Sequence, residues 1–133
     1  MIKGKNKSNA LFQFKSGGLW KKKIFKKNLK SKPLITIITV TLNSEKYLKE
    51  TLKSIFNQSY QNYELIIIDG SSKDKTLRII KKNEKKIDYW ISKKDKGIYD
   101  AFNKGLSLAR GELIGFVNSD DILKKNALKI LIK

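Results

Sequence analysis

Cysteine and histidine are both missing from the 133 residues. The first absence excludes disulfides and thiolate metal sites and permits a reducing compartment. The second leaves acid-base chemistry to carboxylates, lysines and tyrosines. It also leaves any metal site to oxygen ligands, a donor set that favours Mg²⁺ or Mn²⁺ over Zn²⁺. A long apolar run is absent before Pro33, where the longest apolar groups are Ala10-Leu11-Phe12 and Gly18-Leu19-Trp20. Both are too short for a transmembrane span or a signal-peptide core, so neither secretion nor membrane insertion is expected. Two phosphate-binding signatures are missing as well. No Gly-x-Gly-x-x-Gly follows the first strand and no Gly-Lys-Ser/Thr loop occurs, which removes most support for an ordinary dehydrogenase or a P-loop protein.

Acidic residues are absent from one end of the chain. Residues 1–32 hold 11 lysines and no carboxylate, so this tail carries +11 of the formal +18. Its field alone draws such a tail to anionic lipid or nucleic acid, although lysine-heavy usage also reflects genome composition. Trp20, Ile24, Phe25 and Leu29, set among lysines, suit a basic amphipathic helix on a membrane surface; the competing expectation is a flexible, solvated leader. With 40% hydrophobic residues, the remainder is enough for a core, and the length supports one domain over 33–133.

From Pro33 onward, strand and helix patterns alternate. Leu34 to Thr41 is β-branched and nearly all apolar or Thr, as in a strand covered on both faces. Leu48, Leu52, Ile55 and Phe56 then mark one helical face. Tyr63 to Ile68 is a second buried strand ending at Asp69-Gly70-Ser71-Ser72, followed by a helix through Leu77, Ile80 and Ile87 with Ser72 or Asp74 as cap. A short strand, Tyr89 to Ser92, leads to Asp95-Lys96-Gly97. A third helix follows, with Ile98, Phe102, Leu106 and Ala109 on its apolar face and Gly111 as its left-handed C-terminal residue. Leu113 to Val117 reads as a buried strand ending at Asn118-Ser119-Asp120-Asp121, and a last helix covers Lys124 to Ile132.

This alternation predicts an α/β fold: a Rossmann-like, mainly parallel sheet of about four strands flanked by helices, with right-handed crossovers. Parallel strands present their carboxyl ends on one side, so four polar clusters should meet there: Thr41 to Asn43, Asp69 to Ser72, Asp95 to Gly97, and Asn118 to Asp121. Asp120 and Asp121 admit two readings, a cap for the last helix or a divalent-metal site holding an anionic ligand such as a diphosphate. Convergence favours the metal site. Taken alone, Asp69 suits an Asx-type turn, Asp95 and Lys96 a solvated turn, and Asp100, Asn103 and Lys104 an exposed polar face.

Five segments in register, Pro33 to Asn43, Asn57 to Tyr60, Glu64 to Thr76, Asp95 to Gly105 and Asn118 to Asp121, resemble the family 2 glycosyltransferases of the GT-A fold. The resemblance spans residues 33 to about 124 and leaves the tail uncovered. It implies a half-domain that binds a nucleoside-diphosphate sugar, with a UDP-sugar favoured. Carried over residue by residue, it places Val40, Thr41, Leu42 and Asn43, with Glu45 nearby, on the wall of the nucleoside pocket. It gives Asp69 a contact to the base and sets Asp95, Gly97, Asp100 and Asn103 on the ribose and diphosphate side, with Lys104 a further candidate. Asp120 and Asp121 match the end of the DxD motif, where the family holds ribose and a Mn²⁺ or Mg²⁺ ion; Asp121 is the first choice as direct ligand. Asn118 stands where that motif often has its first Asp.

The implied chemistry is inverting transfer of a sugar to an acceptor hydroxyl in surface polysaccharide or glycolipid synthesis. In the family the general base and the acceptor surface lie beyond the DxD motif, and no acid here matches that base. The expectation is therefore a truncated, donor-binding half, cytoplasmic or peripheral to the inner membrane face. Self-association is expected through the uncovered sheet or the last helix, where Leu128, Ile130, Leu131 and Ile132 should be exposed. Two other classes compete: a nucleotide-binding or interaction module without transfer activity, and a basic nucleic-acid-binding protein. The aromatic spacing is not that of a stacking platform, so no specific nucleic acid is expected.

Overall fold

The computed structural model describes residues 14–132. Residues 1–13 of the expected basic tail lie outside the described residues. Ile35–Thr41 (β2) and Tyr63–Asp69 (β3) form the middle of the sheet, paired in parallel along their full lengths. Both are almost wholly buried because β-branched side chains alternate between two covered faces. Ile35, Ile37, Leu65 and Ile67 join one core cluster, while Ile66 and Ile68 join the other. Tyr89–Ser92 (β4) extends the sheet beside β3, and Leu113–Phe116 (β5) lies beside β2, both in parallel. The order runs β4-β3-β2-β5 with a fifth strand beyond β4, so the mostly parallel α/β expectation holds with five strands rather than four.

The extra strand, Lys15–Gly17 (β1), comes from the tail and pairs antiparallel with β4. No amphipathic helix forms over Trp20 to Leu29, and residues 14–32 are not a free leader. After β1 comes a single 3-10 turn, Leu19–Lys22, closed by Lys23 in the left-handed region. The segment that follows straps onto the sheet. Trp20 stacks on Tyr89 at 5.2 Å between ring centroids, and the Arg110 guanidinium sits 4.9 Å from the Phe25 ring centroid. Lys26 Nζ donates to the buried Asp88 carboxylate at 3.2 Å, and Asn62 Nδ2 donates to the carbonyl oxygens of Lys27 and Lys32. An isolated three-residue strand has no stability of its own, so these side-chain ties hold it in place.

Helices Leu48–Phe56 (α1) and Thr76–Lys82 (α2) cover one face of the sheet and Ile98–Leu108 (α3) the other. In α3 the expected apolar stripe does not face the core. The buried positions are Ala101 and Gly105, whereas Ile98 and Leu106 are exposed. Small residues let α3 lie against β2 so closely that a Cβ on Gly105 would come within 2.5 Å of Ile38 Cγ2. Phe102 instead packs edge-on against Phe116 at 4.8 Å. Nor is Gly111 a left-handed C-terminal residue. The helix ends in extended backbone at Ala109, and Gly111 is needed because its Cα passes close to Leu34 and Thr36, where a Cβ would meet Leu34 O at 2.7 Å.

β5 departs from expectation too, since Leu113, Ile114 and Phe116 are exposed on an open sheet edge. The last helix is only Ala127–Leu131 (α4), which buries Leu128 while Ile130 and Leu131 stay exposed. Its N-cap residue is Asn126, so Asp120 and Asp121 do not cap it.

Candidate functional site

β2 begins the parallel part of the sheet, the chain moves outward to β3 and β4, and it returns to the other side of β2 for β5. The loops leaving β2 and β5 therefore diverge over the carboxyl ends of the strands and open a crevice. A cleft of about 590 Å³ lies there, lined by Val40 to Ser44, Lys46, Tyr47, Asp95, Gly97, Ile98 and Asn118 to Asp120. Eight of the residues named from sequence meet in it: Val40, Thr41, Leu42, Asn43, Asp95, Gly97, Asn118 and Asp120.

Asp69 is not on its wall. The carboxylate is fully buried, and both oxygens are taken by neighbouring loops: Oδ1 accepts from Thr41 Oγ1 at 2.6 Å and from Ser72 Oγ, while Oδ2 accepts from Ser92 Oγ at 2.7 Å and Ser72 N–H at 3.0 Å. Here the carboxylate has an internal role. Asp69 ties the ends of β2, β3 and β4 together from beneath. Glu45, Asp100, Asn103, Lys104 and Asp121 also lie off the cleft wall. Asp100 Oδ2 accepts from Lys96 N–H at 2.9 Å and sits 3.4 Å from Lys104 Nζ, so acid and lysine serve the start of α3. The Lys96 N–H, followed by the Lys104 charge, holds the Asp100 carboxyl below its ordinary range. Asp121 Oδ2 turns back to the Asn118 N–H at 3.2 Å, closing the turn that presents Asp120.

The β2 loop is fixed by the β3 loop. Asn43 has a left-handed backbone with φ 49°, which Asn tolerates, and Ser71 shares that region at 61°. Asn43 N–H donates to Ser72 Oγ at 2.8 Å, and Lys73 N–H donates to Asn43 Oδ1 at 2.8 Å. Asp74 accepts from Thr76 N–H at 2.8 Å and from Glu45 N–H at 3.2 Å. Burial pushes the Asp74 carboxyl up, but the Thr76 and Glu45 hydrogen bonds together outweigh it and hold the group below the usual carboxylate value. Between the β2 loop and the loop after β5, Ser44 Oγ and Ser119 Oγ lie 2.9 Å apart and Thr51 Oγ1 donates to Ser119 O at 2.9 Å. The β2 loop and the Asp120 turn are thus one connected wall. Opposite them, Asp95 Oδ1 accepts from Gly97 N–H at 3.0 Å, and Gly97 has φ 116°, a conformation that requires glycine at the start of α3.

Ser44, Lys46, Tyr47 and Ile98 are cleft residues that sequence patterns did not single out as site residues, and Ser119 entered only as part of the Asn118 to Asp121 cluster. Ser44 adjoins Asn43 and could have been found by extending that motif by one residue. Lys46, Tyr47 and Ile98 carry no chemical signal in one dimension. Among the described residues no group of three or more acidic side chains is placed to hold a metal ion. Asp120, Asn118 and Ser119 nevertheless offer only oxygen donors, and Mg²⁺ or Mn²⁺ is usually held by one or two carboxylates completed by substrate phosphates. The donor set fits such an ion.

Comparison with known proteins supplies an independent line. The chain is 36% identical over 134 residues to the chondroitin synthase of Escherichia coli, which aligns with 97% of this chain and 19% of that protein. Staphylococcus aureus TarS 1-349, solved in complex with UDP-GlcNAc, superposes with a TM-score of 0.67 at 33% identity, covering 74% of this chain and 30% of that one. The Pyrobaculum calidifontis mannosyltransferase solved with GDP-Man and Mn²⁺ shares the fold, with a TM-score of 0.65 at 24% identity over 77% of this chain and 33% of its own. This chain therefore spans well under half the length of each. The sequence model of "Glycosyl transferase family 2" matches residues 36–133, about three quarters of the chain. By that match, and by the sheet order and cleft that accompany it, the chain belongs to glycosyl transferase family 2.

Proposed function

We propose that the cleft binds a nucleoside-diphosphate sugar, with a UDP-sugar favoured, and that the chain is the donor-binding part of an inverting glycosyltransferase of surface polysaccharide or glycolipid synthesis. The observation that carries this reading is the meeting of Thr41 to Asn43, Asp95, Gly97 and Asp120 in one crevice at the strand ends. Val40 to Asn43 and Tyr47 form the wall suited to a nucleoside. The Asp95 and Gly97 turn shapes the opposite side, and Asp69 positions Thr41 rather than touching the ligand.

Asp120 lines the cleft and is assigned here as direct ligand of Mn²⁺ or Mg²⁺, while Asp121 accepts from the Asn118 N–H and holds the turn. When bound, the ion neutralises charge on the departing diphosphate. In the reaction proposed, an acceptor oxygen bonds to the anomeric carbon as the bond to the diphosphate breaks, and the acceptor proton passes to a carboxylate base. No residue of the described cleft is assigned as that base. What this chain contributes is donor orientation: Ser44 and Ser119 join the β2 loop and the Asp120 turn into one wall while Asp95 fixes the wall opposite.

Calorimetric titration with UDP, GDP and their sugars, with Mn²⁺ and with chelator, tests the reading. Binding of one nucleotide with Mn²⁺ is expected. Asp120→Ala should weaken it by roughly tenfold or more, the scale of losing one charge-assisted contact, and Asp121→Ala should weaken it less. No nucleotide binding under any condition would remove the donor-site reading. Binding without turnover in the presence of acceptors would leave a nucleotide-binding module.

A further inference from the structure

The strap formed by residues 19–32 has a consequence separate from the cleft. It lies at the amino ends of the strands, where Leu34 N–H donates to Asn28 Oδ1 and Asn62 holds the Lys27 and Lys32 carbonyls. The cleft is at the other end of the seven-residue β2, roughly 20 Å away at the rise of an extended strand. The strap exposes Ile24 and Leu29, each 50% accessible, with Phe25 at 45%. Around them Lys21, Lys22, Lys23, Lys27, Lys30 and Lys32 are exposed, and residues 14–32 contain no acid.

We infer that this strap is a docking surface for an anionic lipid bilayer. Charge complementarity selects the partner. Clustered lysines gain attraction from the negative surface of a membrane, and aliphatic side chains beside them gain by entering the acyl boundary. The presentation is prearranged rather than induced. Lys23 closes the 3-10 turn in the left-handed region, Ile24 N–H donates to Leu19 O, and Leu29 and Lys32 exchange backbone hydrogen bonds. A groove of about 570 Å³ beside the strap is lined by two lysines, Lys32 and Lys129, by the apolar Leu29 and Ile132 with Tyr60, and by the polar Ser59, Gln61 and Asn62. That combination matches a phosphate headgroup with its proximal chain.

A nucleic acid is the weaker partner on the same surface. Single strands are gripped by stacking on free aromatic faces, and Trp20 already stacks on Tyr89 while Arg110 covers Phe25. Because the strap is remote from the cleft, a membrane bound there leaves the cleft open to solvent on the far side.

The test uses the full chain and sedimentation with phosphatidylcholine vesicles, with and without phosphatidylserine. Binding is expected only with the anionic lipid and should fall with added salt. Lys22→Gln with Lys27→Gln should weaken it by roughly tenfold or more, given the usual strength of surface lysines on anionic membranes. Ile24→Ser with Leu29→Ser should weaken it to a similar degree without changing the salt dependence. UDP titration with Mn²⁺ on the same variants reports on the cleft, and vesicle binding by Asp120→Ala reports on the strap, so failure of the donor-site reading and failure of this one are told apart. Unchanged vesicle binding in both strap variants, equal binding to neutral vesicles, or tighter binding to a single-stranded oligonucleotide than to anionic vesicles would each overturn the inference.

Discussion

Asp69 and Asp88 are both buried aspartates on the same sheet, and they do different work. Asp69 has both oxygens engaged, by the Thr41 and Ser92 hydroxyls from neighbouring strands and by the hydroxyl and N–H of Ser72 in its own loop. Asp69→Asn removes the charge and replaces one acceptor by a donor, so the Thr41, Ser72 and Ser92 hydroxyls must reorient to accept from it, at a cost of about 1–3 kcal/mol. Urea unfolding should show that loss, and nucleotide binding should weaken as Thr41 and Ser72 loosen. Asp88 is less well served: Oδ2 accepts from Leu65 N–H and Lys26, while Oδ1 has no partner among the described residues. Burial pushes its carboxyl up, and the Lys26 charge and Leu65 hydrogen bond only partly offset this. The neighbouring Tyr63 hydroxyl is driven to about 12, by burial first and by Asp88 second. The raised Asp88 value means the folded state keeps a proton that the unfolded chain has lost. Stability should therefore fall as pH rises from the ordinary carboxylate range through the raised value, then level off. Asp74 and Asp100, held low, act with the opposite sign, so the informative measurement is a comparison of urea midpoints against pH for the natural chain and Asp88→Asn. The fall should be absent from the variant.

At the scale of elements, the β-α alternation was legible because buried parallel strands are written as continuous β-branched runs, and Leu34 to Thr41 and Tyr63 to Asp69 contain little else. What the periodicity could not convey was distance. In α3 the stripe Ile98, Phe102 and Leu106 satisfies the helical spacing of an apolar face, yet the helix buries Ala101 and Gly105 instead. Close approach to Ile38 selected the small residues, and closeness of that kind is tertiary information. Gly105→Ala puts a methyl within 2.5 Å of Ile38 Cγ2. Helix propensity alone would favour the alanine by about 1 kcal/mol, while overpacking costs about 1–3 kcal/mol. The overpacking should win, and a melting temperature lowered by a few degrees is the expected result of calorimetry. A raised melting temperature would show that α3 can slide away from the sheet.

For the molecule as a whole, the cleft was readable from sequence because parallel strands deliver their loops to one edge, and that rule placed Thr41, Asp95 and Asp120 together without knowledge of side-chain directions. Directions were the unreadable part. Asp120 and Asp121 are adjacent acids, and the turn closed by the Asn118 N–H on Asp121 Oδ2 leaves Asp120 as the one that lines the cleft. The tail was misread for a related reason. Lys15-Ser16-Gly17 has no strand pattern of its own, and the edge of β4 supplies its structure. The basic composition suggested a leader outside the fold, whereas Trp20 on Tyr89 and Lys26 on Asp88 make residues 14–32 a component of it. Trp20→Ala separates the two views. Full burial of a Trp is worth about 3–5 kcal/mol on truncation, and Trp20 is only partly buried, with its indole N–H unpartnered. A loss of about 2 kcal/mol in urea unfolding is expected on that scale, together with faster hydrogen exchange at Tyr89 to Ser92 as β1 lets go of β4. A leader outside the fold would leave both measurements unchanged.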